Sequence, residues 1–270
     1  MITLAISSFK GGTAKTSTSL HLASALAKFH KKKVLLIDFD SQANLTTGLG
    51  FDPDEQDSMA PVLQGDKSLK DVIVKTCIPN LDLVPADTWL ERVEVTGALA
   101  ADRYSHERLK KILLPLDYDF VVIDTPPSLC WLTESSLIAA DYSLISATPE
   151  FYSVKGMQRL ASFLASVSKR HSLGILGVAL SFWNARGKTN KAFLEVIEST
   201  FPNKVLKAKI RRDISVSEAS IYGKPVFETA KTSRASDDYK QMTKEILKRL
   251  KGDSDGKIQL ASQLAAKAKG

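Results

Sequence analysis

Three runs, "ITLAIS" at residues 2–7, "VLLID" at 34–38 and "FVVID" at 120–124, are apolar at nearly every position. A strand with no polar alternation has no face for water, so it belongs inside a parallel sheet covered by helices on both sides. Leu81–Val84, Tyr142–Ala147 and Leu173–Ser181 extend the series. Between them lie segments of helical period: Lys15–Lys28 (with Leu20, Ala23, Leu26 and Ala27 on one face), Arg108–Leu114, Val154–Ser168 and Asn190–Thr200. The expectation is an α/β fold, a mostly parallel twisted sheet with helices on both faces. No internal repeat or interdomain linker breaks the pattern. Residues 1–251 read as one domain, 252–270 as a small polar tail, and the acidic "DPDEQD" at 52–57 as a surface loop.

The first apolar run leads into "SSFKGGTAKTSTSLHLASALA", residues 7–27. A strand, glycines, a lysine, hydroxyls and then a helix make a recipe for binding phosphate. Glycines let backbone N–H groups crowd around an anion, and the helix N-terminus adds free N–H groups and a positive dipole end. Lys10, Gly11, Gly12, Thr13, Ala14, Lys15, Thr16 and Ser17 are the candidate phosphate ligands, with Lys15 reaching the terminal phosphates and the Thr16 hydroxyl a metal. A plain glycine turn with incidental lysines is the alternative. Two further strands bear on that choice, since they end in Asp38, followed by Asp40, and in Asp124. Ligands of such sheets sit at the carboxyl ends of the strands. Lys15 and these aspartates would converge there on one metal–phosphate site.

"KGGTAKTS", "DFDSQANLT", "DTPPS" and "RRDISVSEASIYGKPV" resemble the deviant Walker-A ATPases of the ParA/MinD group, most closely ParA-type partition proteins, from residue 1 to about 250. The pattern K-G-G-x-x-K-[ST] is met by Lys10, Gly11, Gly12, Lys15 and Thr16; Ala14 departs from a more usual glycine, and Ser41 from a proline. The resemblance implies a P-loop NTPase fold and slow hydrolysis of ATP with magnesium. Thr16 and Asp124, with Asp38 alongside, would hold the metal, and Asp40 would orient the attacking water. Lys10 would cross into a second subunit in an ATP-sandwich homodimer. Arg211 and Asp213 stand where relatives contact adenine. The resemblance also implies non-specific DNA binding when ATP is bound, a ParB-type stimulating protein and association with the nucleoid.

The charge distribution points the same way. The net charge is +7, and residues 204–251, with 13 Lys+Arg against 6 Asp+Glu, carry an excess equal to all of it. Such asymmetry suits a polyanion. Lys207, Lys209, Arg211 and Arg212, with Lys240, Lys244 and Lys248 along a terminal helix at about 235–251, are the candidate DNA contacts; a solvated basic face is the bland reading. Tyr239, Met242, Ile246 and Leu250 form that helix's apolar stripe. Two cysteines, Cys77 and Cys130, argue against a disulfide framework or a cluster reductase. No run of about 18 apolar residues and no leader pattern is present, so a cytoplasmic protein is expected. A MinD-like membrane ATPase would need an amphipathic anchor, and "KIQLASQLAAKAKG" offers little apolar area for one. A weakly hydrolysing nucleotide switch is the other rival. Trp89, Trp131 and Trp183 are expected in core or interface positions; the four histidines show no ligand spacing.

Overall fold

The computed structural model describes residues 1–8, 10–95, 102, 104–149, 154–187 and 189–253. Its eight-stranded sheet comprises β1 (Ile2–Ser7), β2 (Val34–Asp38), β3 (Val74–Lys75), β4 (Leu81–Val84), β5 (Phe120–Asp124), β6 (Tyr142–Ala147), β7 (Gly174–Trp183) and β8 (Val205–Arg211). The spatial order is β3-β4-β2-β5-β1-β6-β7-β8, and every pairing is parallel except the short β3–β4 edge. All six expected strands are present. The order reverses around β1, so the loops leaving β1, β2 and β5 open on one side of the sheet, the usual ligand side of such folds.

The helices are α1 (Lys15–His30), α2 (Asn44–Gly48), α3 (Met59–Gln64), α4 (Leu69–Val72), α5 (Trp89–Val95), α6 (Arg108–Leu113), α7 (Trp131–Ala139), α8 (Val154–Ser168), α9 (Asn190–Thr200), α10 (Ile214–Ile221), α11 (Val226–Thr229) and α12 (Arg234–Asp253). Successive strand residues point to opposite faces. Leu4, Ile6, Leu36 and Val122 pack with Leu22 and Leu26 of α1 and with Tyr239, Met242 and Ile246 of α12. On the other face, Leu35, Ile37, Val121 and Ile123 meet α3, α5 and α6, while Ala5, Ile145 and Ile175 meet α8 and α9. Each fully buried Leu or Ile of these layers stabilises the fold by about 1.5–3 kcal/mol.

The segment "KVLKAKIRR" is more than a basic stretch: it supplies edge strand β8. Leu206 and Ile210 point inward while Lys207 and Arg211 point out. Helix α12 closes this edge with its polar side. Glu245 accepts from the backbone N–H groups of Lys207 and Ala208 (3.0 and 2.9 Å), and Asp238 accepts from that of Arg211 (3.0 Å). Arg249 donates to the carbonyls of Leu176, Lys204 and Val205. The helix also runs to Asp253, two residues into the expected tail; residues 254–270 lie outside the described residues. Among the described residues no helix is long and apolar enough to cross a membrane.

Candidate functional site

The phosphate-loop segment turns back on itself after β1. Gly12 adopts φ 74°, and the Ser8 and Thr13 hydroxyls donate to the Lys10 carbonyl. Ser146 of β6 donates to the Thr13 carbonyl (2.5 Å), which ties the loop to the sheet. Gly11, Gly12 and Lys10 are exposed, whereas Thr13 and Lys15 are buried. Ala14 sits at the N-terminus of α1 with φ 60° and ψ 32°, left-handed backbone that a Cβ disfavours. Ala43, before α2, has φ 50°. Two strained alanines thus flank one end of the sheet, the pattern expected where local strain serves a site. Ala14→Gly relieves the first. Glycine's larger unfolded-state entropy offsets part of the gain, so stability should rise by about 0.5–1 kcal/mol, read from the urea midpoint at constant m.

The expected aspartates do converge. Asp38 and Asp124 are register partners at the ends of β2 and β5, and both are almost wholly buried. Ser19 of α1 donates to Asp124 Oδ1 (2.8 Å), while Asp124 Oδ2 is buried without a hydrogen-bond partner. Burial raises the Asp124 pKa to about 6, opposed by the Lys15 charge and the Thr16 and Ser19 hydroxyls. Burial lowers the Lys15 pKa, and the charges of Asp124 and Asp40 raise it. Buried Lys15 fits a polyphosphate, and the Asp124 carboxylate with the Thr16 hydroxyl fits a divalent cation beside it: both of those donors are hard oxygens, and the cation would supply the partner that Oδ2 lacks.

Asp38 has a different setting. Its Oδ2 accepts from the Thr46 backbone N–H and hydroxyl (2.9 and 2.7 Å), and its Oδ1 from the Asp40 N–H (3.2 Å). Burial, then the neighbouring Asp124, raises its pKa to about 7. This carboxyl braces the loop from Asp40 to Gly50 more directly than it offers an oxygen to a metal. The loop lacks the proline that Ser41 replaces, but Asp40 Oδ1 accepts from Gln42 N–H and the Asp40 carbonyl from Ala43 N–H.

A cavity of about 670 Å³ adjoins the phosphate loop, lined by Ala14, Ser17, Phe182, Arg211, Arg212 and Asp213 among others. Both expected base neighbours therefore border it, yet their side chains are engaged elsewhere. Asp213 caps α10 by accepting from Ser215 N–H and also accepts from Ala235 N–H. Arg211 makes a two-pronged pair with Asp238 (2.9 and 2.7 Å).

The basic residues divide. Lys207, Lys244 and Lys248 are exposed. Lys209 lies 5.3 Å from the Trp183 ring and Arg212 5.8 Å from that of Phe182, while Lys240 pairs with Asp237 and lies over Phe29. Part of the C-terminal positive charge thus holds the fold together. Trp89 is more than half exposed, with Arg92 over its ring, and so is not a core residue; Trp131 is half-buried, its indole N–H donating to Ser105.

Residues 1–175 match the protein family described as an AAA domain. The chain is 66% identical over 249 residues to a ParA family protein of Chlamydia muridarum, covering 92% of this chain and 98% of that protein. The chain belongs to the ParA family. It is also 34% identical over 248 residues to the sporulation initiation inhibitor protein Soj of Bacillus subtilis, covering 90% and 97%. Among solved structures, the cobyrinic acid a,c-diamide synthase of Mycobacterium smegmatis with bound ATP analog and magnesium superposes with a TM-score of 0.81 at 28% identity, over 93% of this chain and 96% of that one. The likeness is to ParA/MinD-type P-loop ATPases, and the fold is theirs.

Sequence reading missed His21, which sits in the ParA core as a structural histidine. Its Nδ1 lies 2.7 Å from the Ser17 carbonyl and its Nε2 accepts from Val226 N–H (3.0 Å), which fixes the neutral Nδ1–H tautomer. The ring stacks on Tyr239 at 4.3 Å. Burial lowers its pKa to about 4. The unfolded chain protonates near 6.5, so the stability His21 contributes is complete above that pH and declines as pH falls toward 4. Nitrogen-15 spectra at pH 5 should still show a neutral imidazole.

Proposed function

We propose that this chain is an ATP-driven DNA-partition ATPase: it binds Mg-ATP, pairs with a second copy and, so paired, holds DNA without sequence preference. The observation that carries the reading is the convergence of Lys15, Asp40 and Asp124, with its unpartnered Oδ2, beneath a glycine–lysine loop. Lys15 and the N–H groups of residues 10–16 hold the phosphates, and Thr16 and Asp124 hold the metal. Bound magnesium neutralises phosphate charge as it shifts during transfer. Asp40 positions the attacking water. Lys10, exposed on the loop, reaches the triphosphate of the partner subunit and offsets charge there. Phosphoryl transfer needs placement and charge more than a strong base, which suits a site with one buried cation and a held carboxylate.

Mg-ATP titrated against the full chain, followed by light scattering, tests this: the mass should double with ATP and not with ADP. A monomer at saturating ATP would end the sandwich reading.

DNA contact is assigned to the exposed lysines of β8 and α12. Each phosphate contact contributes about 0.9 to the slope of log K against log salt. Lys244→Glu with Lys248→Glu should therefore flatten the slope by about 1.8 and weaken every sequence equally. Unchanged binding by that double variant would move the interface elsewhere.

A further inference from the structure

Two glycines far apart in sequence meet back to back beside the site. Gly223, in the turn between α10 and α11, has φ +62°; a Cβ built on it would lie 2.6 Å from Gly50 Cα and 2.8 Å from Gly50 N. Gly50, φ +82°, ends the loop that begins at Asp40, and its N–H donates to the Thr47 carbonyl. The same turn is held from a second side. Three residues past Gly223, the Val226 N–H donates to His21 Nε2, and His21 Nδ1 donates to the carbonyl of Ser17, a phosphate-loop candidate at the start of α1. One turn thus touches both the helix that begins at the phosphate loop and the loop that carries Asp40.

We infer that the Gly223–Val226 turn is a strut that sets the position of Asp40 relative to the phosphate loop, with Gly223 and His21 as its positioning residues. The inference rests on the reading that this site hydrolyses ATP. The strut's far end is anchored: Asp213 caps α10 and reaches Ala235, the Lys224 N–H donates to the Ala219 carbonyl, and His21 is clamped between Tyr239 and Phe227. The near end is the five-residue helix α2, whose Leu45 and the following Leu49 pack into the core while Thr46 binds Asp38 and accepts from Ala86 N–H. The atoms that a Cβ at position 223 would strike all belong to this end: Gly50 Cα and N, and the Leu49 carbonyl carbon at 3.3 Å. A side chain at position 223 therefore displaces Leu49–Gly50 and, through α2, Asp40, while residues 10–17 keep their place. The cost falls on turnover and not on nucleotide affinity.

The test measures kcat, KM, melting temperature and the affinity for a fluorescent ATP analogue in the full-length protein. Gly223→Ala should lower kcat about tenfold or more, with affinity held within about threefold. Should Gly223→Ala fail to fold, the His21 pair decides. His21→Leu should show the same kcat-selective loss, and His21→Gln, which can still donate and accept, should recover most of it. Wild-type kcat in folded Gly223→Ala or in His21→Leu overturns the strut, as does an equal loss of affinity and kcat. Wild-type protein that binds ATP without turning it over removes the ATPase reading and the strut's role together, so the two failures are told apart.

Discussion

Lys10→Ala should abolish ATP-dependent doubling of mass and lower turnover about a thousandfold, while each subunit still binds nucleotide. A triphosphate carries about four negative charges, and in the proposed site buried Lys15 would meet them from its own subunit. Lys10 lies on the exposed crest of the loop, where its ammonium can serve a neighbour's nucleotide. Cations supplied in trans to phosphoryl transfer are worth about 10³–10⁵ in rate. Light scattering reads the first effect and phosphate release the second. Wild-type behaviour in both would remove Lys10 from the interface.

Asp40→Ala should act in the opposite sense on assembly. Phosphate contacts and magnesium ligands remain, so Mg-ATP binds and the dimer forms, but the attacking water loses its guide and turnover falls about 10²–10⁴-fold. The dimer then persists as long as ATP is present. Together the two variants separate pairing from chemistry: one subunit pairs poorly, the other pairs and cannot let go. Asp40→Ala also removes one of two carboxylates that raise the Lys15 pKa, so a modest change in ATP affinity is expected in addition. A variant whose dimer decays at the wild-type rate would show that another group orients the water.

The sheet was readable because its strands are buried on both faces and lack any competing period. The phosphate loop was readable because glycine, lysine and hydroxyl occur in a local order that binding itself requires. Asp38 and Asp124 could be placed by their position at strand ends, although the sequence does not say that Asp38 spends both oxygens on Thr46 and Asp40. Strand β8 was masked by its lysines. Its alternation of Leu206 and Ile210 with Lys207 and Arg211 is a two-residue period, overridden in the sequence reading by the density of charge. Helices such as α2, α4 and α11, of four or five residues, are too short to show a helical period at all. The Gly50–Gly223 contact and the His21 bridge left no local signal, since each joins segments remote in sequence and meets only backbone atoms on the far side.

The seal that α12 places over β8 bears on how a shortened form of this protein would behave. Remove the chain from Asp238 onward and the amides of Lys207, Ala208 and Arg211 lose the carboxylates that occupy them, while Leu206 and Ile210 lose their cover. A bare strand edge of that kind recruits other chains into intermolecular sheet. Precipitation would then mimic a loss of nucleic-acid affinity, so lysine exchange one position at a time is the cleaner way to test the proposed DNA contacts of α12.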